Sequence, residues 1–193
     1  MRYDDGMLLA LSILAASQVT PIVALDKEIS DATVKPLIAV FQEAAKNHTP
    51  AITLLIQSPG GMNDAGYALI RTMLEAEAGG TKVTCVVQEA DSMAALVVEG
   101  ACTKRVMHRN GKLLFHESGY VMLVPTREEE RLTKTRLRKL ADELEPEDRR
   151  SAELVAAHMH MTPDEYLKWI AGQDREVDAP TALARGWIDE IID

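Results

Sequence analysis

The chain has little of what several protein classes require. Its 193 residues include only two cysteines, and 21 lysines and arginines stand against 30 aspartates and glutamates, for a net charge of -9. This acidic balance argues against a nucleic-acid-binding surface. Two cysteines are too few for a disulfide scaffold. Because Cys85 and Cys102 both lie in apolar surroundings, we expect buried free thiols.

The sequence also lacks a hydrophobic run that could cross a membrane. The apolar part of the N-terminal stretch "MRYDDGMLLALSILAAS" is about ten residues long, whereas a spanning helix needs about 20. Asp4 and Asp5 are unsuited to the positively charged start of a secretion signal. We therefore expect residues 1–20 to form a buried or subunit-contacting helix of a cytoplasmic protein with no membrane partner.

The histidines do not provide a metal site. His158 and His160 are two residues apart on an expected helix, so their side chains point to different faces. We expect neither a metal nor a cofactor. The sequence has no repeat and no low-complexity segment, and its length suits one domain over residues 1–193.

What the sequence does contain is an alternation of apolar strands and amphipathic helices. Strands are predicted for "PIVAL", "AITLLIQ" and "TKVTCVV" (21–25, 51–57 and 81–87), with helices over 30–46 and 64–77 between them. This order predicts an α/β fold with largely parallel pairing. "RVMH" and "KLLFH" read as two short strands joined by an "RNG" turn. Ser30 or Asp31 is the expected N-cap of the helix over 30–46. A charged helical segment over about 126–172 follows, and helix start signals occur at Thr162 and Asp178.

Two glycines end the second strand and precede a helix, in "QSPGGMNDAGYALIRTML". Gly60 and Gly61 can form a tight turn, or they can expose backbone N–H groups to a ligand. Ser92 follows the third strand and precedes an apolar helix, where it is either an N-cap residue or a group in the positive field of the helix dipole. His116 ends an apolar strand, where a histidine is unusual. The alternative to a functional role is a structural histidine at the strand end, with its ring nitrogens hydrogen-bonded.

Four motifs in order resemble the ClpP-type serine peptidases, whose fold is shared with crotonase-like enzymes. They are the glycine loop "SPGG" with "AG" after it, the nucleophile motif "DSMAA", the histidine strand "LLFHES", and the C-terminal "QDREVDAP" with "ARGWIDEII". The resemblance begins near residue 22 and extends to the end, except for the charged helical segment. It implies an α/β spiral of β-β-α units with a protruding helical handle over about 126–172.

The resemblance also implies a serine endopeptidase that hydrolyses peptides or unfolded polypeptides. Ser92 would be the nucleophile, His116 the base, and Asp174 the group that orients the imidazole. The N–H groups of Gly61 and Met93 would stabilise the oxyanion. Gly60 and Gly61 would bind substrate, glycine being required so that no Cβ stands between this backbone and the reacting carbonyl.

The resemblance implies a homo-oligomer, a heptamer or a double heptamer, with an AAA+ unfoldase as a candidate partner. The sequence departs from the family before the nucleophile, where Glu89 and Asp91 stand. If these acids face the site, they favour the protonated form of His116 and move activity to a more alkaline pH. The alternative is a catalytically impaired ClpP-like scaffold or interaction subunit that keeps the triad residues.

Overall fold

The structure is a computed structural model that describes residues 20–119 and 134–193. These residues form one six-stranded sheet with helices packed on it. The strands are β1 (Ile22–Leu25), β2 (Ala51–Ser58), β3 (Lys82–Asp91), β4 (Lys104–Phe115), β5 (Arg175–Asp178) and β6 (Glu190–Ile192). The helices are α1 (Asp31–Asn47), α2 (Asn63–Ala78), α3 (Met93–Ala101), α4 (Lys134–Val155), α5 (Pro163–Ile170) and α6 (Ala179–Ala184).

The sheet has the strand order β1-β2-β3-β4-β5. Strand β6 pairs with residues 106–108 of β4, whereas β5 pairs with residues 112–115. The pairs among β1 to β4, and β4 with β6, are parallel, whereas β5 runs antiparallel to β4. Each parallel connection passes through a helix, which covers the sheet and buries alternate strand residues. Ile52, Leu54 and Ile56 of β2 are buried in this way. The α/β class and the largely parallel pairing are confirmed.

The predicted helix starts are confirmed in detail. Ser30 caps α1 and exchanges hydrogen bonds with Thr33, and Thr162 caps α5 with Glu165 in the same arrangement. Asp178 caps α6 by accepting from the N–H of Thr181 at 2.9 Å. Each cap satisfies N–H groups that the first turn of a helix leaves free, so the sequence signals identify the boundaries.

The expected hairpin at "RNG" is wrong. Residues 104–115 form the single strand β4, and its pairing with β3 jumps from Val87–Met107 to Glu89–Lys112. The bulge at this jump brings Gly111 close to other backbone, because a Cβ there would lie 3.0 Å from the carbonyl oxygen of Gln88. Parallel pairing with β3 thus replaces the local turn, and it also extends β3 beyond its expected end at residue 87.

Two further expectations concern the chain ends and the cysteines. The predicted helix over 1–20 lies outside the described residues except for Thr20, and so does the handle from 126 to 133. The expectation of free thiols is wrong, since Cys85 of β3 and Cys102 after α3 form a disulfide. Among the helices of the described ranges, none is both long and apolar enough to span a bilayer.

Candidate active site

Ser92 forms the turn between β3 and α3 and has an unusual backbone conformation. Its φ is 55° and its ψ is -124°, a region that residues with a side chain rarely adopt. Such a conformation costs on the order of 1–3 kcal/mol and persists only where the surrounding structure enforces it. Within the part of the chain that the structure describes, the side chain makes no capping hydrogen bond. The N-cap interpretation therefore does not explain this serine.

The glycine loop packs directly against the Ser92 turn. Gly60 has a φ of +83°, and a Cβ there would lie 2.8 Å from the Cβ of Ser92 and 2.9 Å from the nitrogen of Met93. Ser58 shapes this loop, because its buried hydroxyl donates to the carbonyl of Lys27 at 2.7 Å and accepts from the N–H of Gly60 at 3.2 Å. Only glycine satisfies both the backbone conformation and the close approach.

Among the described residues, two backbone N–H groups beside Ser92 have no hydrogen-bond partner. Ile29 donates to the carbonyl of Gly60 at 2.6 Å and accepts from Met62 at 2.9 Å. In a parallel bridge of this kind the N–H of the intervening Gly61 points to the opposite side. The N–H of Met93 begins α3, so it has no partner within that helix and lies at its positive end.

The structure gives a reason for glycine at position 61 in addition to the one expected. A Cβ there would meet the main chain of Ile29, with its nitrogen at 2.9 Å, and φ is +141°. The clash is with Ile29, the residue that pairs with Gly61 in an isolated parallel bridge. At Gly66 a Cβ would overlap the side chain of Met93, so the small residue lets α2 approach α3.

A cleft of about 580 Å³ brings four of the predicted residues together: Ser92, His116, Gly61 and Met93. Its other described walls include apolar side chains and the edge of α4, namely Met62, Leu96, Phe115, Leu144, Glu147, Ser151 and Tyr166. Phe115 is held by an aromatic cluster, with Tyr166, Trp169 and Trp187 at ring-centre distances of 6.3, 5.6 and 6.2 Å. This packing fixes the end of β4, where His116 follows.

The imidazole of His116 is oriented by a main-chain group. Its Nδ1 lies 2.5 Å from the carbonyl oxygen of Glu117. Because a carbonyl oxygen only accepts hydrogen bonds, Nδ1 carries the proton, and Nε2 of the neutral ring keeps its lone pair. That tautomer is the one a general base requires. Among the described residues, no hydrogen bond joins His116 to Ser92 or to Asp174.

Asp174 is exposed and does not line the cleft as the structure describes it. Its place in the chain nevertheless relates it to His116. The last pair of the β4–β5 ladder is Phe115 with Arg175. One step further in the same antiparallel register, His116 would face Asp174. The two residues thus leave the sheet at the same point, one from each strand.

Glu89 and Asp91 form an ion cluster with Lys112 of β4, a residue that sequence reasoning missed. Lys112 Nζ lies 2.9 Å from Glu89 and 3.7 Å from Asp91. The hydrogen bond from Lys112 lowers the pKa of Glu89. Burial raises the pKa of Asp91, and one of its oxygens is buried with no hydrogen-bond partner in the ranges 20–119 and 134–193. Neither acid lines the described cleft, and the ammonium opposes the effect expected of them on His116.

Two carboxylates that hold the segment after His116 also went unnoticed in the sequence. Asp148 of α4 accepts from the N–H of Ser118 at 2.6 Å, and Glu117 accepts from the N–H of Gly172 at 3.0 Å. Both bonds join residues distant in sequence, so no local pattern predicts them.

His158 contacts buried Glu99 and Arg105, each at 2.5 Å, which gives this histidine a role in an ion network.

Comparison with known proteins supports the resemblance. The model of the family described as Clp protease matches residues 9–193. The chain is 31% identical over 150 residues to the ATP-dependent Clp protease proteolytic subunit 2 of Bacillus licheniformis, covering 77% of this chain and 73% of that protein. It is 30% identical over 141 residues to the protein of the same name from Streptomyces coelicolor, covering 73% of this chain and 61% of that protein.

Proposed function

Because this chain belongs to the Clp protease family, we propose that it is a serine endopeptidase that hydrolyses peptides or unfolded polypeptides with Ser92, His116 and Asp174. The observation that carries the proposal is the conformation of Ser92. A strained residue with no capping bond, at a strand-to-helix turn that opens on a cleft shared with a histidine, fits a nucleophile.

The reaction follows from the groups around the cleft. Ser92 Oγ attacks the scissile carbonyl while Nε2 of His116 takes its proton, and the imidazolium then protonates the leaving amine. The carbonyl oxygen becomes an oxyanion, which accepts hydrogen bonds from the N–H groups of Gly61 and Met93. Losing one such donor typically costs about 3–4 kcal/mol of transition-state stabilisation. Water then repeats the sequence on the acyl-enzyme.

Asp174 is proposed as the carboxylate that stabilises the imidazolium. The support is its position beyond the β4–β5 ladder, opposite His116 in the extended register. In the described conformation the Glu117 carbonyl holds Nδ1 instead. We propose that the imidazole turns away from that carbonyl during the reaction so that Nδ1 donates to Asp174, because a carboxylate stabilises a positive ring more strongly than a carbonyl does.

The proposed setting of the reaction is a ring of identical subunits in the cytoplasm. The names of both relatives describe proteolytic subunits of ATP-dependent proteases. We extend this to the present chain as a heptamer or double heptamer that takes polypeptides from an AAA+ unfoldase. Native mass measurement of the purified protein tests the ring, and degradation of a folded substrate with and without an AAA+ partner tests the dependence on ATP.

A second candidate is a catalytically impaired scaffold or interaction subunit. The observation that favours it is the engagement of His116 Nδ1 by its own neighbour, with Asp174 exposed. A scaffold would keep the ring and bind polypeptide without cleaving it.

Hydrolysis of an unfolded, fluorescently labelled protein separates the two candidates. We expect turnover by the wild-type protein and none by Ser92→Ala. Asp174→Asn is expected to lose up to about 10⁴-fold in kcat, the loss seen when the triad aspartate of a serine protease becomes an amide. Glu176→Gln, an exposed carboxylate of the adjoining strand, is the matched control and should keep its activity. No turnover by the wild-type protein in its assembled state would favour the scaffold.

A further inference from the structure

The segment after His116 is joined to two other parts of the chain by carboxylates. Glu117 accepts from the N–H of Gly172 at 3.0 Å, and Asp148 accepts from the N–H of Ser118 at 2.6 Å. In both bonds a side chain takes a main-chain N–H that no strand or helix satisfies. These carboxylates therefore replace backbone pairing at the point where the sheet ends.

The Glu117 bond encloses the two proposed triad members. On one side is the last ladder pair, Phe115 with Arg175. On the other side is the bond from Glu117 to Gly172. His116 and Asp174 lie between these two ties, one on each strand, so the ties set how far apart their main chains can move.

Glu117 acts on His116 in a second way. Its carbonyl oxygen holds Nδ1–H and so selects the tautomer with a free Nε2. The direction of that carbonyl depends on the conformation of the 116–118 segment. Glu117 through its side chain and Asp148 through Ser118 are the groups that fix this conformation among the described residues.

We propose that Glu117 and Asp148 are positioning residues for His116: their carboxylates hold the 116–118 segment so that, before the reaction, the Glu117 carbonyl keeps the proton on Nδ1 and leaves Nε2 free for Ser92. Their effect on the reaction rests on the proposed serine-peptidase function. They do not touch the substrate, and they act through the placement of the base. A misplacement of the base by about 1 Å can reduce turnover by about 100-fold.

The first test measures the rate of labelling by a fluorophosphonate, which reports the reactivity of Ser92 without peptide binding. We expect Glu117→Ala and Asp148→Ala to label at least about tenfold more slowly, to lose kcat, and to keep KM. Glu117→Gln and Asp148→Asn retain a carbonyl acceptor and should restore most of the rate. Glu145→Ala, which removes an exposed carboxylate of α4, is the control and should label as the wild type does.

The second test is independent of catalysis, so failure of the proposed function can be recognised separately. Hydrogen exchange should show a protected N–H at Gly172 that loses protection in Glu117→Ala, and one at Ser118 that loses it in Asp148→Ala. Nitrogen-15 spectra of the His116 ring should show the Nδ1–H tautomer in the wild type and a mixture in both variants. Unchanged protection and tautomer would overturn the positioning role, as would alanine variants that label at the wild-type rate. A wild type that never labels would overturn the peptidase function instead.

Discussion

A β-carbon at Gly60 would lie 2.8 Å from the β-carbon of Ser92, which is closer than two such carbons can approach. The glycine loop and the Ser92 turn therefore fit together only while position 60 has no side chain. Ser92 keeps its strained backbone in part because this loop leaves it no other space.

Substitution of Gly60 by alanine tests this contact. We expect Gly60→Ala to abolish fluorophosphonate labelling, because the new methyl group displaces the Ser92 turn and the Met93 N–H. Gly80→Ala is the matched control, since Gly80 also has a positive φ (+98°) but a Cβ there meets nothing within 4 Å. Both variants bear backbone strain of about 1 kcal/mol or more. Equal labelling of the two would show that the contact has no effect on the site.

Replacing Ser92 itself separates its strain from its chemistry. Ser92→Ala keeps the strain and removes no capping bond, so its free energy of unfolding should match the wild type. Ser92→Gly relieves a backbone strain of about 1–3 kcal/mol. This gain is reduced by about 0.5–1 kcal/mol, because glycine has more conformational freedom in the unfolded chain. Urea denaturation should therefore find the glycine variant about 1 kcal/mol more stable than the alanine variant. A loss of about 1 kcal/mol in Ser92→Ala would instead indicate an N-cap role.

The ion cluster on Lys112 predicts opposite pH effects for its two acids. The pKa of Asp91 is raised, mainly by burial, so its ionised form costs stability as pH rises through that pKa. Asp91→Asn should raise the thermal midpoint at pH 7, and the gain should shrink as pH falls through that pKa and vanish below the lower pKa of Asp91 in the unfolded chain. The pKa of Glu89 is lowered by Lys112, so its contribution is present at neutral pH and lost on acidification.

Glu89→Gln is thus the counterpart of Asp91→Asn. It should lower the thermal midpoint at pH 7, by a small amount because Glu89 is partly exposed, and it should match the wild type below the pKa of Glu89. Midpoints that move in the same direction for both variants at pH 7 would contradict the assigned roles.

The disulfide closes the strand–turn–helix unit that presents Ser92. Cys85 and Cys102 are separated by 17 residues and flank the unit on both sides. A disulfide that closes a loop of this size stabilises the protein by about 3 kcal/mol, because it restricts the unfolded chain. Cys102→Ala should lose about this much free energy of unfolding without reductant, and should differ little from the wild type in its presence.

Alkylation of the unfolded, unreduced protein gives the direct measurement of the disulfide. Two thiols that react fully in protein kept under cytosol-like reducing conditions would show that the bond does not persist there. Disulfides are uncommon in cytosolic proteins, so this result also bears on the proposed cytoplasmic setting.

The sequence predicted what depends on local chemistry. Helix starts at Ser30, Thr162 and Asp178 are visible because a cap and its partner lie within four residues of each other. Buried strands are visible because they are apolar runs of strand length, although only alternate residues of β2 are buried and Leu55 is exposed. The turn at Ser92 and the glycine loop were also placed, because strand, turn and helix follow one another directly.

What the sequence did not predict depends on partners distant along the chain. The "RNG" turn was wrong because pairing with β3 and β5 overrides the local preference for a hairpin. The Cys85–Cys102 bond and the pairing of Lys112 with Glu89 and Asp91 depend on neighbouring strands. The carboxylate ties of Glu117 and Asp148 span 55 and 30 residues, beyond any local signal.

The central claim is that Ser92 is a nucleophile activated by His116, and the most direct measurement is the site of fluorophosphonate attachment. Peptide mapping of the labelled native protein should find the adduct on Ser92, with no adduct in Ser92→Ala and at most a trace in His116→Ala. Heat-unfolded protein is the control and should not react. Failure of the native protein to label anywhere between pH 6 and 9, or equal labelling of His116→Ala, would contradict the account.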